Sequence, residues 1–121
     1  MQYAILIYET PGEFARRSGQ ESSVYWSGWA AYFGALGERA RSGACLKGPE
    51  TGTTVRGGAQ AREVQDGPYA DTREQLGGFT LIEADSLDDA LAWAERCPAA
   101  ATGAVEVRPV LPMSEVSEMQ S

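Results

Sequence analysis

Apolar residues crowd both sides of the first extended run of this chain. In "QYAILIY", residues 2–8, Tyr3, Ile5 and Ile7 share one face of a strand, and Ala4, Leu6 and Tyr8 share the other. Neither face is polar, so the pattern predicts a strand covered on both sides. "LGGFTLIEA", residues 76–84, repeats it: Phe79 and Leu81 point one way, Thr80, Ile82 and Ala84 the other. "ACLKGPE" predicts a further strand that Gly48-Pro49 ends or bends. "TTVR" and "AREVQ", on either side of "GGAQ", predict a small hairpin with a glycine-bearing loop. In "GAVEVRPV", Glu106 and Arg108 alternate with Val105 and Val107, and Pro109 argues for a sheet edge.

Helical spacing replaces alternation in two segments. After "TPGEFARRSGQESS", a loop with one helical turn, Tyr25, Trp29, Tyr32 and Leu36 form a stripe that Trp26, Phe33 and Ala40 widen. This predicts a helix capped by Ser22 or Ser23, running to about Arg41 and stopped by Gly43. Gly28, Gly34 and Gly37 each cost it up to about 1 kcal/mol relative to alanine, which suggests close packing on the sheet. In "DSLDDALAWAERCP", Ser86 caps, Asp88 and Asp89 suit the positive helix end, and Pro98 stops the helix. Leu87, Ala90, Leu91 and Ala94 make its expected buried stripe. Residues 1–111 read as one domain, and "PMSEVSEMQS", residues 112–121, as a polar, loose tail.

The order is β-α-β-(hairpin)-β-α-β, that of an α+β, ferredoxin-like split βαβ unit with an inserted hairpin. Both helices lie on one sheet face in that arrangement, yet the first and third main strands are apolar on both. Leaving side chains such as Leu6 and Phe79 in water would forgo roughly 1.5–3 kcal/mol each. The expected cover is a second copy of the chain, giving a homodimer whose sheet faces meet.

Composition narrows the chemistry. The chain has 121 residues, 43% hydrophobic and 22% charged, with no run long enough to span a membrane. Met1-Gln2-Tyr3 carries no basic residue and the apolar run breaks at Tyr8-Glu9, so no secretory signal is read and a cytoplasmic location is expected. Net charge is −7 without a basic patch, which argues against nucleic acid. There are no histidines, which removes Ser-His and Cys-His nucleophile systems and the usual zinc and haem ligands. No metal or cofactor is expected. Cys45 and Cys97 lack metal-ligand spacing and read as two buried thiols.

Carboxylates, tyrosines, arginines and the single lysine, Lys47, are left to do any acid-base work, and nothing beside Lys47 in the sequence activates it. Carboxylates, a tyrosine and an arginine gather in "DGPYADTREQLGGF", Asp66 to Phe79. A turn aspartate ordinarily accepts from the backbone N–H two residues on, but residue 68 is proline and has none. Asp66 is thereby free to act as acid or base, or else it binds the backbone further along. Asp71 and Glu74 have capping-box spacing. Arg73 and Arg62 suit an anionic ligand, or pair with Glu63 and Glu74 on a solvated face. Gly77-Gly78 suits a bulge or a close backbone approach. Tyr8, at a strand end, and Tyr69, beside Asp66, are candidates to contact a ligand. Trp26, Trp29, Tyr32 and Phe33 line either a pocket or an ordinary core.

"QDGPYADTREQLGGF" resembles the signature of the DGPF group within the YCII-related family. The resemblance runs from "QYAILIYE" and "TTVR" through "LIEADSLDDALAWAERCPAA" to "GAVEVRPV". Tyr69 stands where phenylalanine is usual, Asp71 for glutamate and Arg73 for lysine. The resemblance implies a dimeric α+β barrel. It also implies an association, in many members, with extracytoplasmic-function sigma factors, and in some a histidine–aspartate pair with dehalogenase-like chemistry. The histidine of that pair has no counterpart here. Two expectations follow: a dimeric protein with a small-molecule cleft, Asp66 serving as a cofactor-free acid or base with Tyr8, Tyr69 and Arg73 at the ligand; or a non-catalytic adaptor acting with a sigma factor.

Overall fold

The computed structural model describes residues 1–120, and Ser121, the last residue of the expected tail, lies outside them. Strand β1 (Gln2–Glu9) leads through helix α1 (Pro11–Ala15) to the long helix α2 (Ser22–Leu36) and strand β2 (Ala40–Cys45). A hairpin of β3 (Thr53–Arg56) and β4 (Glu63–Asp66) follows, then β5 (Gln75–Glu83). Helices α3 (Leu87–Arg96) and α4 (Pro98–Thr102), strand β6 (Ala104–Pro109) and helix α5 (Met113–Gln120) complete the chain.

The main sheet is antiparallel in the order β2-β5-β1-β6, the arrangement of a ferredoxin-like split βαβ unit, and β3-β4 pair apart from it. The two strands with apolar residues on both sides are therefore the central ones, and Pro109 ends an edge strand. Leu6 faces Phe79 across the central pair and Ala4 faces Leu81, so four apolar side chains occupy adjacent positions on the helix-free face. Leu6, Phe79 and Leu81 are each only partly buried there.

The opposite face carries the core. Ile5 and Ile82 are fully buried against α2, whose Tyr25, Trp29, Tyr32 and Leu36 form the buried stripe at the expected spacing. Ser86 caps α3 by accepting from the Asp89 N–H, and the Asp89 carboxylate accepts from the Asp85 N–H, a reciprocal cap. The α3 stripe differs from the expected one: Ala90 and Ala94 are buried and Trp93 packs on the core, while Leu87 and Leu91 are exposed. The small alanines let the helix approach closely, and that rotation carries the leucines outward.

Other boundaries shift for local reasons. Helix α2 ends at Leu36, because Gly37 adopts φ 54; Gly37–Arg39 form a 3-10 turn, and Ala40 and Arg41 enter β2 instead of prolonging the helix. Gly43 is consequently a strand residue and not a helix stop; a Cβ there would lie 2.3 Å from the Phe79 carbonyl. Gly28, Gly34 and Gly37 meet nothing within 4 Å and have no close-packing role. Asp71 and Glu74 start no helix; Gln75 instead holds that loop by donating to the Ala70 and Thr72 carbonyls. Cys97 is buried but Cys45 is exposed, and both are free thiols. The C-terminal segment, expected to be loose, forms α5. Among the described residues, no helix is long and apolar enough to cross a membrane.

Candidate functional site

Strand alternation places Glu9 on the same face as Tyr3, Ile5 and Ile7, and its carboxylate is 2% exposed. A carboxylate so placed requires a cation and hydrogen bonds. The loop after α1 brings Arg17, whose Nη2 donates to Glu9 Oε1 at 2.7 Å and to the Gly77 carbonyl at 3.1 Å. The first turn of α2 brings Tyr25, whose hydroxyl donates to Glu9 Oε2 at 2.5 Å and accepts from Arg17 Nε at 3.3 Å. Arg17 Nη1 donates to the Leu46 carbonyl, just beyond β2. The Phe14 ring lies 4.7 Å from the guanidinium carbon. One arginine thus ties together β1, β5, α2 and the end of β2.

Gly77 makes this arrangement possible. It is the unpaired residue of a bulge opposite Ile7/Tyr8, and a Cβ there would fall 2.6 Å from Glu9 Oε1 and 2.9 Å from Arg17 Nη2. The Gly-Gly pair thus serves both of its expected purposes, since a Cβ on Gly78 would meet the Ala44 carbonyl at 2.7 Å.

This cluster closes a cavity of about 560 Å³ between α2 and the edge strand β2, a size suited to a small ligand. Trp26, Trp29, Ala30 and Phe33 form the helix wall, and residues 40–45 the strand wall. Trp29 belongs mainly to the core, whereas Trp26 and Phe33 are 42% and 39% exposed and flank the opening. The aromatic residues of α2 divide between core and cavity.

Burial pushes the Tyr25 phenol up to about 12, and its hydrogen bond to Glu9 adds to the effect. Burial opposes the charge on Arg17, but hydrogen bonds to Glu9 and Tyr25 outweigh it and raise the pKa. Around neutrality, then, Tyr25 is a protonated donor beside a guanidinium-bound carboxylate. Phenol, carboxylate and guanidinium thus form one hydrogen-bonded network that lines the cavity. Burial likewise pushes the Cys97 thiol up to about 11 and raises Tyr32.

Each of these groups stays protonated in the folded chain at a pH where the unfolded chain has ionised it. Their contribution is constant below the ordinary thiol value of 9.0, then declines as pH rises past the tyrosine value of 10.0 toward 12. Urea unfolding midpoints are therefore expected to fall between pH 8 and pH 11, and to fall less in Tyr25→Phe. A midpoint that stays level over this range would contradict the assignment.

The four side chains singled out from the sequence lie elsewhere and are divided among themselves. Asp66 ends β4, where it pairs with Thr53; it is exposed, and its carboxylate accepts no hydrogen bond among the described residues. The turn after it is held by backbone, through Gly67 N–H to the Gly52 carbonyl at 2.7 Å and the Thr54 hydroxyl to the Gly67 carbonyl at 3.0 Å. Arg73 is exposed in the loop before β5. Neither lines this cavity or a second one of about 500 Å³ formed by Tyr8 and residues of the segments 46–52 and 68–76. Tyr8 and Tyr69 do line that second cavity. The Tyr8 hydroxyl donates to Glu106 at 3.4 Å, and the Tyr69 ring carries Arg56 at 4.9 Å. Arg62 and Arg73 form no ion pair with Glu63 or Glu74. Sequence reading missed Glu9 and Arg17. The available signal was the buried alternation, which continues one residue beyond Tyr8 and puts a carboxylate in the core.

A relative from Rhizobium meliloti (strain 1021), the uncharacterised protein R00369, is 36% identical over 118 residues, covering 91% of this chain and 92% of its own. Among solved structures, the chain resembles 5-chloro-2-hydroxyhydroquinone dehydrochlorinase (TftG) from Burkholderia phenoliruptrix AC1100, in complex with 2,5-dihydroxybenzoquinone. That likeness has a TM-score of 0.57 at 20% identity, over 92% of this chain and 94% of the other, and it concerns the fold. The model of the YCII-related domain matches residues 1–114, nearly the whole sequence, and the chain belongs to that family.

Proposed function

We propose that the protein is a homodimer that binds a small aromatic molecule in the cavity between α2 and β2, with the Glu9–Tyr25 pair as its acid-base element. The carrying observation is an aromatic-walled space of about 560 Å³ closed by a buried carboxylate, a phenol and a guanidinium. A core carboxylate with no ligand to serve is a costly way to fill space. The structural neighbour's ligand, a single-ring quinone, is of a size this cavity admits. The second cavity, lined by Tyr8 and by residues of the segments 46–52 and 68–76, has neither the tryptophan and phenylalanine wall nor the buried ion pair.

A screen of one- and two-ring aromatic compounds by protein NMR checks this reading. Hits are expected to shift resonances of Trp26, Ala30, Phe33 and Ala44 together, and Trp26→Ala is expected to weaken them about tenfold through lost stacking area. Hits confined to the second cavity, or none, would refute it.

A further inference from the structure

Arg41 is the cation of this cavity that nothing neutralises. The ionised groups lining the space are Glu9, Arg17 and Arg41, and the first two are bound to each other. The other arginines of the main sheet and its helices are all engaged: Arg16 with Glu13, Arg39 and Arg96 over Trp93, Arg108 with Glu106. Arg41 is exposed and has no ion pair, hydrogen bond or ring contact among the described residues.

Its position is built by the backbone. Ala40 pairs with Ile82 and Ser42 with Leu81, consecutive residues of β5, so Arg41 is the extra residue of a β-bulge. Bulges break the alternation of a strand and re-aim the side chain that occupies them. Two residues on, Gly43 removes the side chain that would otherwise crowd the Phe79 carbonyl and keeps the strand wall thin. The result is an unpaired guanidinium beside an aromatic wall, in a chain whose net charge is −7. Charges more than about 8–10 Å away are largely screened at physiological salt, so Arg41 sets the local preference.

We infer that the cavity takes a planar aromatic acid. Its one or two rings lie against Trp26 and Phe33, and its carboxylate is gripped by the planar guanidinium of Arg41, which matches a carboxylate in bidentate fashion. This inference rests on the cavity being the ligand site, as proposed above, and adds the charge of the ligand.

The test uses 2-naphthoate and its uncharged counterpart of the same shape, 2-naphthamide, each titrated calorimetrically into the full chain at physiological salt. The acid is expected to bind about tenfold more tightly than the amide. Arg41→Gln is expected to bring the two to parity by weakening the acid alone, and Arg41→Lys to retain part of the preference. Arg41 is exposed on an edge strand, so both variants should keep the parent melting temperature, which circular dichroism verifies. Equal affinities in the parent protein would overturn the aromatic-acid assignment while leaving the cavity reading intact. A preference that survives Arg41→Gln would remove Arg41 as the anchor. If neither compound binds, the cavity reading falls and this inference falls with it.

Discussion

Arg17→Met should lower the free energy of unfolding by about 3–5 kcal/mol, the usual cost of stripping one partner from a buried ion pair. Glu9 is 2% exposed, and without the guanidinium its carboxylate would keep only the Tyr25 hydroxyl as a hydrogen-bond donor. The Gly77 and Leu46 carbonyls would each lose a donor as well. Glu9→Gln alone should also destabilise, since it leaves Arg17 without its counter-charge. The double variant should lose less than the sum of the two, because residues in one network couple by about 0.5–3 kcal/mol. Urea denaturation of the four proteins measures the cycle. Additive losses would mean that Glu9 and Arg17 are not the coupled pair their 2.7 Å contact implies.

Leu6→Asp should convert the proposed dimer to a monomer. The helix-free face presents Leu6, Phe79, Ala4 and Leu81 at adjacent register positions, with Glu106 and Arg108 opposite Leu6 and Ala4 on β6. Burying a leucine or phenylalanine contributes about 1.5–3 kcal/mol, and a two-fold axis doubles every contact. A carboxylate at the centre of such a contact would be desolvated beside its own symmetry mate, a situation worth several kcal/mol against association. Sedimentation velocity should give the parent chain about twice its 13.0 kDa mass, and Leu6→Asp a single chain. A parent protein that sediments as one chain at high micromolar concentration would remove the face-to-face assembly altogether.

Alternation and capping carried most of the fold. The two-faced pattern of residues 2–8 and 76–84 identified the central strands, because only central positions need apolar cover on both sides. Ser86 announced α3 through a local hydrogen bond, and the glycine-bearing loop announced the β3-β4 hairpin. What sequence reading lost were the decisions made by tertiary contact. Leu87 and Leu91 fit a helical stripe as well as Ala90 and Ala94 do, and the sheet chose the alanines. The site was harder still. Glu9, Arg17, Tyr25, Leu46 and Gly77 meet across separations of up to 68 residues, and no spacing rule links them. Asp66 is the opposite case: its turn chemistry is local and legible, yet the fold leaves that carboxylate at the surface.

Both margins of the main sheet are blunted. Pro109, at the end of β6, offers no amide hydrogen, and the bulge at Arg41 interrupts the regular register of β2. Lateral addition of a further strand is thus obstructed at either end, while the proposed pairing consumes the broad apolar surface between them. Growth has nowhere left to continue, so the pair should remain a finite particle at high concentration instead of seeding fibrils.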